Sequence, residues 1–247
     1  MAHDKAYYEA EKKIEQALKT GAKTLRLSYL ELTEIPKSLA QLTQLEVLNL
    51  SFNQLTTLPE WLGELKQLWQ LHINNNQIIK LPESIGQLTQ LHKLYINDNQ
   101  LTELPESLGQ LNQLQLLYLY RNNLTSLPKT IGQLTELLEL HLSYNKLTDL
   151  PQSISQIEFL YAIYLLDNPL KPELAEAYNQ GVEALKLYLR VGAVVPIFES
   201  KLIIVGEGEV GKTCLVDALL DKEWHEHSST HGIDIQAIKV VLNIEEF

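Results

Sequence analysis

With 247 residues, 45% of them apolar and 21% charged, the chain has material for one large or two small cores and is too mixed in composition for disorder. Thirty-one acids against 20 bases leave a net charge of −11, which argues against nucleic acid and anionic membrane surfaces as partners, since both select basic faces. The single cysteine, Cys214, cannot form an internal disulfide and favours a reducing, cytoplasmic compartment. The start, Met1-Ala2-His3-Asp4-Lys5, leads into charged sequence without an apolar leader, and the most apolar run, 191–198, falls far short of the ~20 residues that a membrane helix needs.

From residue 4 to residue 20, Tyr7, Ala10, Ile14 and Ala17 recur at intervals of three and four among Glu and Lys. That spacing predicts an amphipathic helix, with Gly21 as its C-terminal cap. A 23-residue period follows. The unit L-x-x-L-x-L-x-x-N-x-L-x-x-L-P begins at Leu45 and places asparagines at 53, 76, 99, 122, 145 and 168. A degenerate first unit, from Ala22 through Leu25, Leu27 and Leu32 to Ile35-Pro36, carries Leu30 in place of the asparagine, as a terminal repeat can. This pattern is identified as a leucine-rich-repeat solenoid over 22–170, resembling the intracellular Ras-group type of repeat.

In L-x-L the two leucines point the same way along a short strand, so stacked repeats make a parallel sheet with its inner face in the core. The turn after each strand leaves backbone groups that no ladder satisfies, and an asparagine side chain can both donate to and accept from them. Segments such as Leu81-Pro82-Glu83-Ser84-Ile85-Gly86-Gln87-Leu88 return along the convex side as short helical or irregular stretches.

The outward position between the two leucines reads Arg26, Asn49, His72, Tyr95, Tyr118, His141 and Tyr164 down the sheet. Beside it run Ser28, Ser51, Asn74, Asn97, Tyr120, Ser143 and Leu166. Two readings are open for this concave face: a solvated sheet surface, or a protein-binding site centred on His72, Tyr95, Tyr118, Tyr120, His141 and Tyr164, since tyrosine is enriched where proteins meet.

A solenoid exposes its end leucines unless something covers them. The helix over residues 4–20 covers one end. At the other, Pro172 and Glu173 open a helix through Leu174, Tyr178, Leu185, Leu187 and Leu189 to Arg190, with a break expected near Gly181. The domain plan is therefore a capping helix over 1–21, repeats over 22–170, a capping helix and linker over 171–199, and a separate segment over 200–247.

That last segment starts with an apolar run, Lys201 to Val205, which leads directly into Gly206-Glu207-Gly208-Glu209-Val210-Gly211-Lys212-Thr213 and then the apolar-periodic stretch Cys214 to Leu220. Strand, G-x-x-x-x-G-K-T and helix together spell a phosphate-binding loop. Amides of residues 208–213 would cradle phosphates, Lys212 would charge-pair the β- and γ-phosphates, and the Thr213 hydroxyl would bind Mg²⁺. Gly206, Gly208 and Gly211 also fit a dinucleotide fingerprint, but the Lys-Thr pair has no role there. His225, His227 and His231 lack paired cysteines and are read as solvated rather than as a zinc site. Cys214 is read as a core residue behind the loop.

Thr230-His231-Gly232-Ile233-Asp234, shortly after the loop, completes a resemblance to the start of a Ras-like GTPase, and repeats joined to such a segment resemble the bacterial Roco family. The resemblance implies an α/β protein in which a leucine-rich-repeat solenoid precedes the N-terminal part of a Ras-like P-loop domain. It further implies GTP and GDP as ligands with Mg²⁺ as cofactor, phosphate contacts from Gly206, Gly208, Glu209, Val210, Gly211, Lys212, Thr213 and Cys214, and Mg²⁺ contacts from Thr213 and Thr230. It also implies a nucleotide-regulated switch that hydrolyses GTP to GDP and a homodimer formed through other regions. The D-x-x-G and N-K-x-D motifs of such a domain do not follow in the 47 residues after Ser200. The expectation is therefore a fragment that binds nucleotide weakly by itself, and the competing expectation is a repeat scaffold with an inert terminal segment.

Overall fold

Three-residue strands alternate with five-residue helical turns, because each 23-residue unit has room for one outgoing strand and one compact return. The computed structural model describes residues 5–191. Seven strands, β1 (Thr24–Arg26), β2 (Val47–Asn49), β3 (Gln70–His72), β4 (Lys93–Tyr95), β5 (Leu116–Tyr118), β6 (Glu139–His141) and β7 (Ala162–Tyr164), form one parallel sheet in chain order. Their register follows the sequence period, so Leu48 pairs with Leu71, Leu71 with Leu94 and Leu94 with Leu117. These central leucines are fully buried, whereas the residues on either side of each are at least partly open.

The return path is a 3₁₀ turn after each of the first six strands, as in Glu83–Gln87 and Glu106–Gln110. A proline precedes each one, and its ring holds φ near the helical value without requiring an amide partner, as Pro82 (φ −69°) and Pro105 (φ −69°) do. The carbonyl of Pro82 accepts the Ile85 amide at 3.1 Å, and the Ile85 carbonyl accepts that of Leu88 at 3.1 Å. Glycine packs these turns together. A Cβ on Gly63, Gly86, Gly109 or Gly132 would lie 2.3–2.5 Å from a carbonyl oxygen of the next repeat, a distance that no side chain can occupy.

The asparagines tie the strand ends together. Asn53 accepts the amides of Leu30 (3.2 Å) and Leu32 (3.0 Å) and donates to the carbonyls of Leu27 and Leu50, both at 2.9 Å. Asn76 serves the Leu55 amide and the Leu50 carbonyl in the same way, so each asparagine ties the repeat before its own, and the first repeat, with Leu30 at this place, is tied like the rest. The residue before each asparagine is left-handed: Phe52, Asn75, Asp98, Arg121, Tyr144 and Asp167 have φ between 54° and 59°, and Tyr29 matches them at 60°.

Helix α1 (Lys5–Thr20) buries Ala10, Ile14 and Ala17 and covers the first repeat. It ends in a Schellman motif, with the Ala22 amide on the Ala17 carbonyl at 3.0 Å, the Gly21 amide on Leu18 at 3.4 Å, and Gly21 at φ 63°. At the far end the expected helix is two helices, α2 (Pro172–Asn179) and α3 (Val182–Val191), divided at Gly181 with φ 107°. After that break α3 buries Ala184, Leu185, Lys186, Tyr188 and Leu189 against the last 3₁₀ turn. Leu187, placed by sequence among the covering residues, is 36% exposed. No described helix is long and apolar enough to cross a membrane.

Candidate functional site

The outward residue of each strand comes into register with its counterpart in the next repeat: His72 with Tyr95, Tyr95 with Tyr118, Tyr118 with His141, and His141 with Tyr164. Strands about 4.8 Å apart bring such rings into contact. Centroids of His72 and Tyr95 lie 4.4 Å apart and nearly parallel; Tyr95 and Tyr118 meet edge to face at 5.0 Å. Tyr118 meets His141 edge to face at 4.0 Å, and His141 stacks on Tyr164 at 4.2 Å. Five rings on five adjacent strands therefore form one unbroken ridge. All but Tyr164 are half-buried, and Tyr164 is 44% exposed. Tyr120, in the neighbouring row, is half-buried and makes no ring contact among the described residues.

Beside the ridge lies a residue that sequence reasoning did not single out. Glu139, the first residue of β6, accepts hydrogen bonds from the phenols of Tyr161 at 2.6 Å and Tyr118 at 3.2 Å, and from His141 Nε2 at 3.0 Å. Hydrogen bonds from Tyr161 and His141 hold its carboxyl below the ordinary value, so it remains ionised. Burial, followed by the Glu139 charge, pushes the Tyr118 phenol up to about 12 and raises that of Tyr95 in the same order. The signal was available in the strand position two before the ridge, which reads Thr24, Val47, Gln70, Lys93, Leu116, Glu139 and Ala162. Glu139 is the only acid in the seven strands.

Toward the other end, Lys93 sits over the Trp69 ring at 5.5 Å, and Trp69 meets His92 edge-on at 6.2 Å. His72 accepts from the Gln70 amide group at 2.6 Å. Burial depresses the His72 pKa, with Arg26 and Lys93 adding to the effect. The sheet face thus carries Arg26 and Lys93 on its earlier strands and Glu139 on a later one. Among the described residues no cluster of His, Cys, Asp and Glu has the makings of a metal site.

Residues 84–177 match a family described as a leucine-rich repeat region, and residues 20–78 match a leucine rich repeat family. A leucine-rich-repeat protein of Leptospira interrogans is 34% identical, with a TM-score of 0.58 over 64% of this chain and 47% of its own. YopM from Yersinia enterocolitica is 32% identical, with a TM-score of 0.52 over 66% of this chain and 33% of its own. The chain is a leucine-rich-repeat protein. It spans about half the length of the first of these repeat proteins and a third of the second. No curated protein gives a match.

The phosphate-loop residues Gly206, Gly208, Glu209, Val210, Gly211, Lys212, Thr213 and Cys214, together with Thr230, lie outside the described residues. So does the expected Ras-like segment as a whole.

Proposed function

We propose that this leucine-rich-repeat protein is an interaction module that binds a protein partner on its sheet face, through the ridge of His72, Tyr95, Tyr118, His141 and Tyr164. The observation that carries this reading is the continuity of the ridge, with ring contacts of 4.0–5.0 Å across five strands. Rings fixed by their neighbours lose little freedom on binding and offer large amphipathic contact areas, the property that makes tyrosine common at binding hot spots. A merely solvated face would not need five successive aromatic residues. Replacing Tyr95, Tyr118 and Tyr164 together by Ala is expected to leave the far-ultraviolet circular dichroism unchanged and to abolish capture of the ligands retained by the unaltered protein. Equal capture by both returns the face to a solvated surface.

A second reading rests on the sequence after residue 200. The apolar run Lys201 to Val205 followed by Gly206-Glu207-Gly208-Glu209-Val210-Gly211-Lys212-Thr213 supports a nucleotide-regulated switch of the Roco type, cytoplasmic as the single cysteine suggests. In that reading Lys212 meets the β- and γ-phosphates of GTP, and Thr213 and Thr230 offer hydroxyls to Mg²⁺. Water then cleaves GTP to GDP and phosphate, and the repeats respond to the nucleotide state. Titration with fluorescent GTP, GDP and ATP in Mg²⁺ tests it: residues 1–247 alone should bind guanine nucleotides only weakly, in preference to ATP, and Lys212→Ala should remove most of that affinity. Unaltered affinity in Lys212→Ala would overturn the assignment.

A further inference from the structure

We infer that the partner engages the sheet face through a lysine or arginine side chain, received at Glu139 between the rings of Tyr118 and Tyr161. This rests on the sheet-face reading and names the chemistry of the ligand. The first ground is charge. Two acids beside the strands are matched by bases of the same chain: Glu46 by Lys23 at 2.6 Å and Asp98 by Arg121 at 3.5 Å. Glu139 instead receives two phenols and one imidazole. Phenols fix the position of a carboxylate without cancelling its charge, and the imidazole cancels it only when protonated.

The second ground is that, among the described residues, no lysine or arginine is paired with it. Lys93 lies two strands away, about 10 Å at the spacing of a sheet, and is held over Trp69. Arg121 is engaged by Asp98 and by the Tyr144 ring at 5.5 Å. The third ground is the surrounding surface. Tyr161 is 61% exposed and Tyr164 44% exposed, so aromatic faces stand open around a carboxylate whose own side chain is 22% exposed. Ionised acid and open aromatic rings together fit an organic cation, which gains from both the charge and the ring quadrupole. A metal ion needs several oxygen ligands, and Glu139 is a single carboxylate. The net charge of −11 would steer a basic segment toward the molecule.

The experiment pans a phage-displayed library of random seven-residue peptides against the full 247-residue chain, its Glu139→Gln and Glu139→Lys variants, and the variant with Tyr95, Tyr118 and Tyr164 all replaced by Ala. Glu139→Gln keeps the side-chain shape and one of the two acceptor oxygens, which Tyr161 and Tyr118 use separately, and matching thermal midpoints confirm that the variants fold. Peptides selected by the unaltered chain should be enriched in Lys and Arg and bind Glu139→Gln about tenfold more weakly, the scale of one charged hydrogen bond. Glu139→Lys should select acidic peptides instead. Peptides that are enriched, and lost in the triple tyrosine variant, but show no excess of basic residues or bind Glu139→Gln equally, overturn this inference and leave the sheet-face reading standing. A library that yields no enrichment over bare support, or the same peptides from the triple variant, overturns both.

Discussion

The side-chain oxygen of Asn99 accepts the backbone amide of Ile78 at 3.0 Å, across a repeat boundary and 21 residues back along the chain. Its amide group donates to the carbonyls of Ile73 (2.9 Å) and Ile96 (3.0 Å), so one side chain joins two successive repeats. Asn99→Ala leaves three buried backbone groups without these partners, at about 1–3 kcal/mol for the first unsatisfied group alone. Because repeats stack in one dimension, the loss should spread to both neighbours. Hydrogen exchange should quicken at Ile78 and Leu101 together, and the urea midpoint should fall. A midpoint equal to that of the unaltered protein rules out this tie.

Gly109 is a spacing residue. A methyl group there would lie 2.5 Å from the Thr130 carbonyl oxygen and 2.6 Å from its Cβ, so Gly109→Ala must separate two 3₁₀ turns and should cost about 1–3 kcal/mol. The same column reads Ala40, Gly63, Gly86, Gly109, Gly132 and Ser155. Its first position is relaxed: at Ala40 the first turn packs less closely on the second than later turns pack on one another. Ser155→Ala, which keeps the Cβ already in place and removes only a hydroxyl, is the control and should leave stability nearly unchanged, while a Gly109→Ala protein of unaltered midpoint would disprove the close contact.

One defect of the 3₁₀ column suggests a gain. The buried hydroxyls of Ser84, Ser107 and Ser153 have no partner among the described residues, whereas Thr130 at the corresponding place donates to the Glu106 carbonyl at 2.7 Å. Threonine's restricted χ1 can hold its hydroxyl toward that carbonyl. Ser107→Thr should therefore reach the equivalent carbonyl of Glu83 and stabilise the protein by about 0.5–1.5 kcal/mol. A lower melting temperature would show that the added methyl group strains the neighbouring turn.

Where one residue type is demanded at a fixed place, the structure was legible in advance. Leucines of the strands, asparagines of the turns and the Gly21 cap all answer local requirements, and the period of 23 multiplies each signal. Features made by convergence were not legible. Glu139 is reached by Tyr118 from one neighbouring repeat and by Tyr161 from the loop before the next strand, and nothing periodic marks that meeting. Leu187 was misplaced because, at about 100° per residue, it points away from Leu185 and Leu189, which share the buried face of α3 one turn apart, while Lys186 turns inward to donate to the Glu158 carbonyl at 3.2 Å. The left-handed residues before the asparagines were also missed, because residues as unlike as Phe52, Arg121 and Tyr144 occupy that place, and its conformation is imposed by the stacked turns rather than by residue type.

The phenol of Tyr118 should ionise late, and the direction of the coupling is fixed by its causes. Burial disfavours the phenolate, and the nearby negative charge of Glu139 disfavours it further, placing the folded value at about 12. An unfolded chain ionises the same phenol near 10. Between those values the unfolded state binds fewer protons than the folded one, so the contribution of Tyr118 to stability is full below pH ~10 and is lost as pH rises through about 12. The check is phenolate absorbance near 295 nm, recorded as the difference between the unaltered protein and Tyr118→Phe while circular dichroism confirms that both remain folded. That difference should titrate at about 12. Repeated in a Glu139→Gln background, it should move down toward 10 without reaching it, because the charge is removed and the burial remains. A difference titration centred near 10 in the unaltered protein would show that Tyr118 is neither desolvated nor held against the carboxylate, and the ridge would lose its link to Glu139.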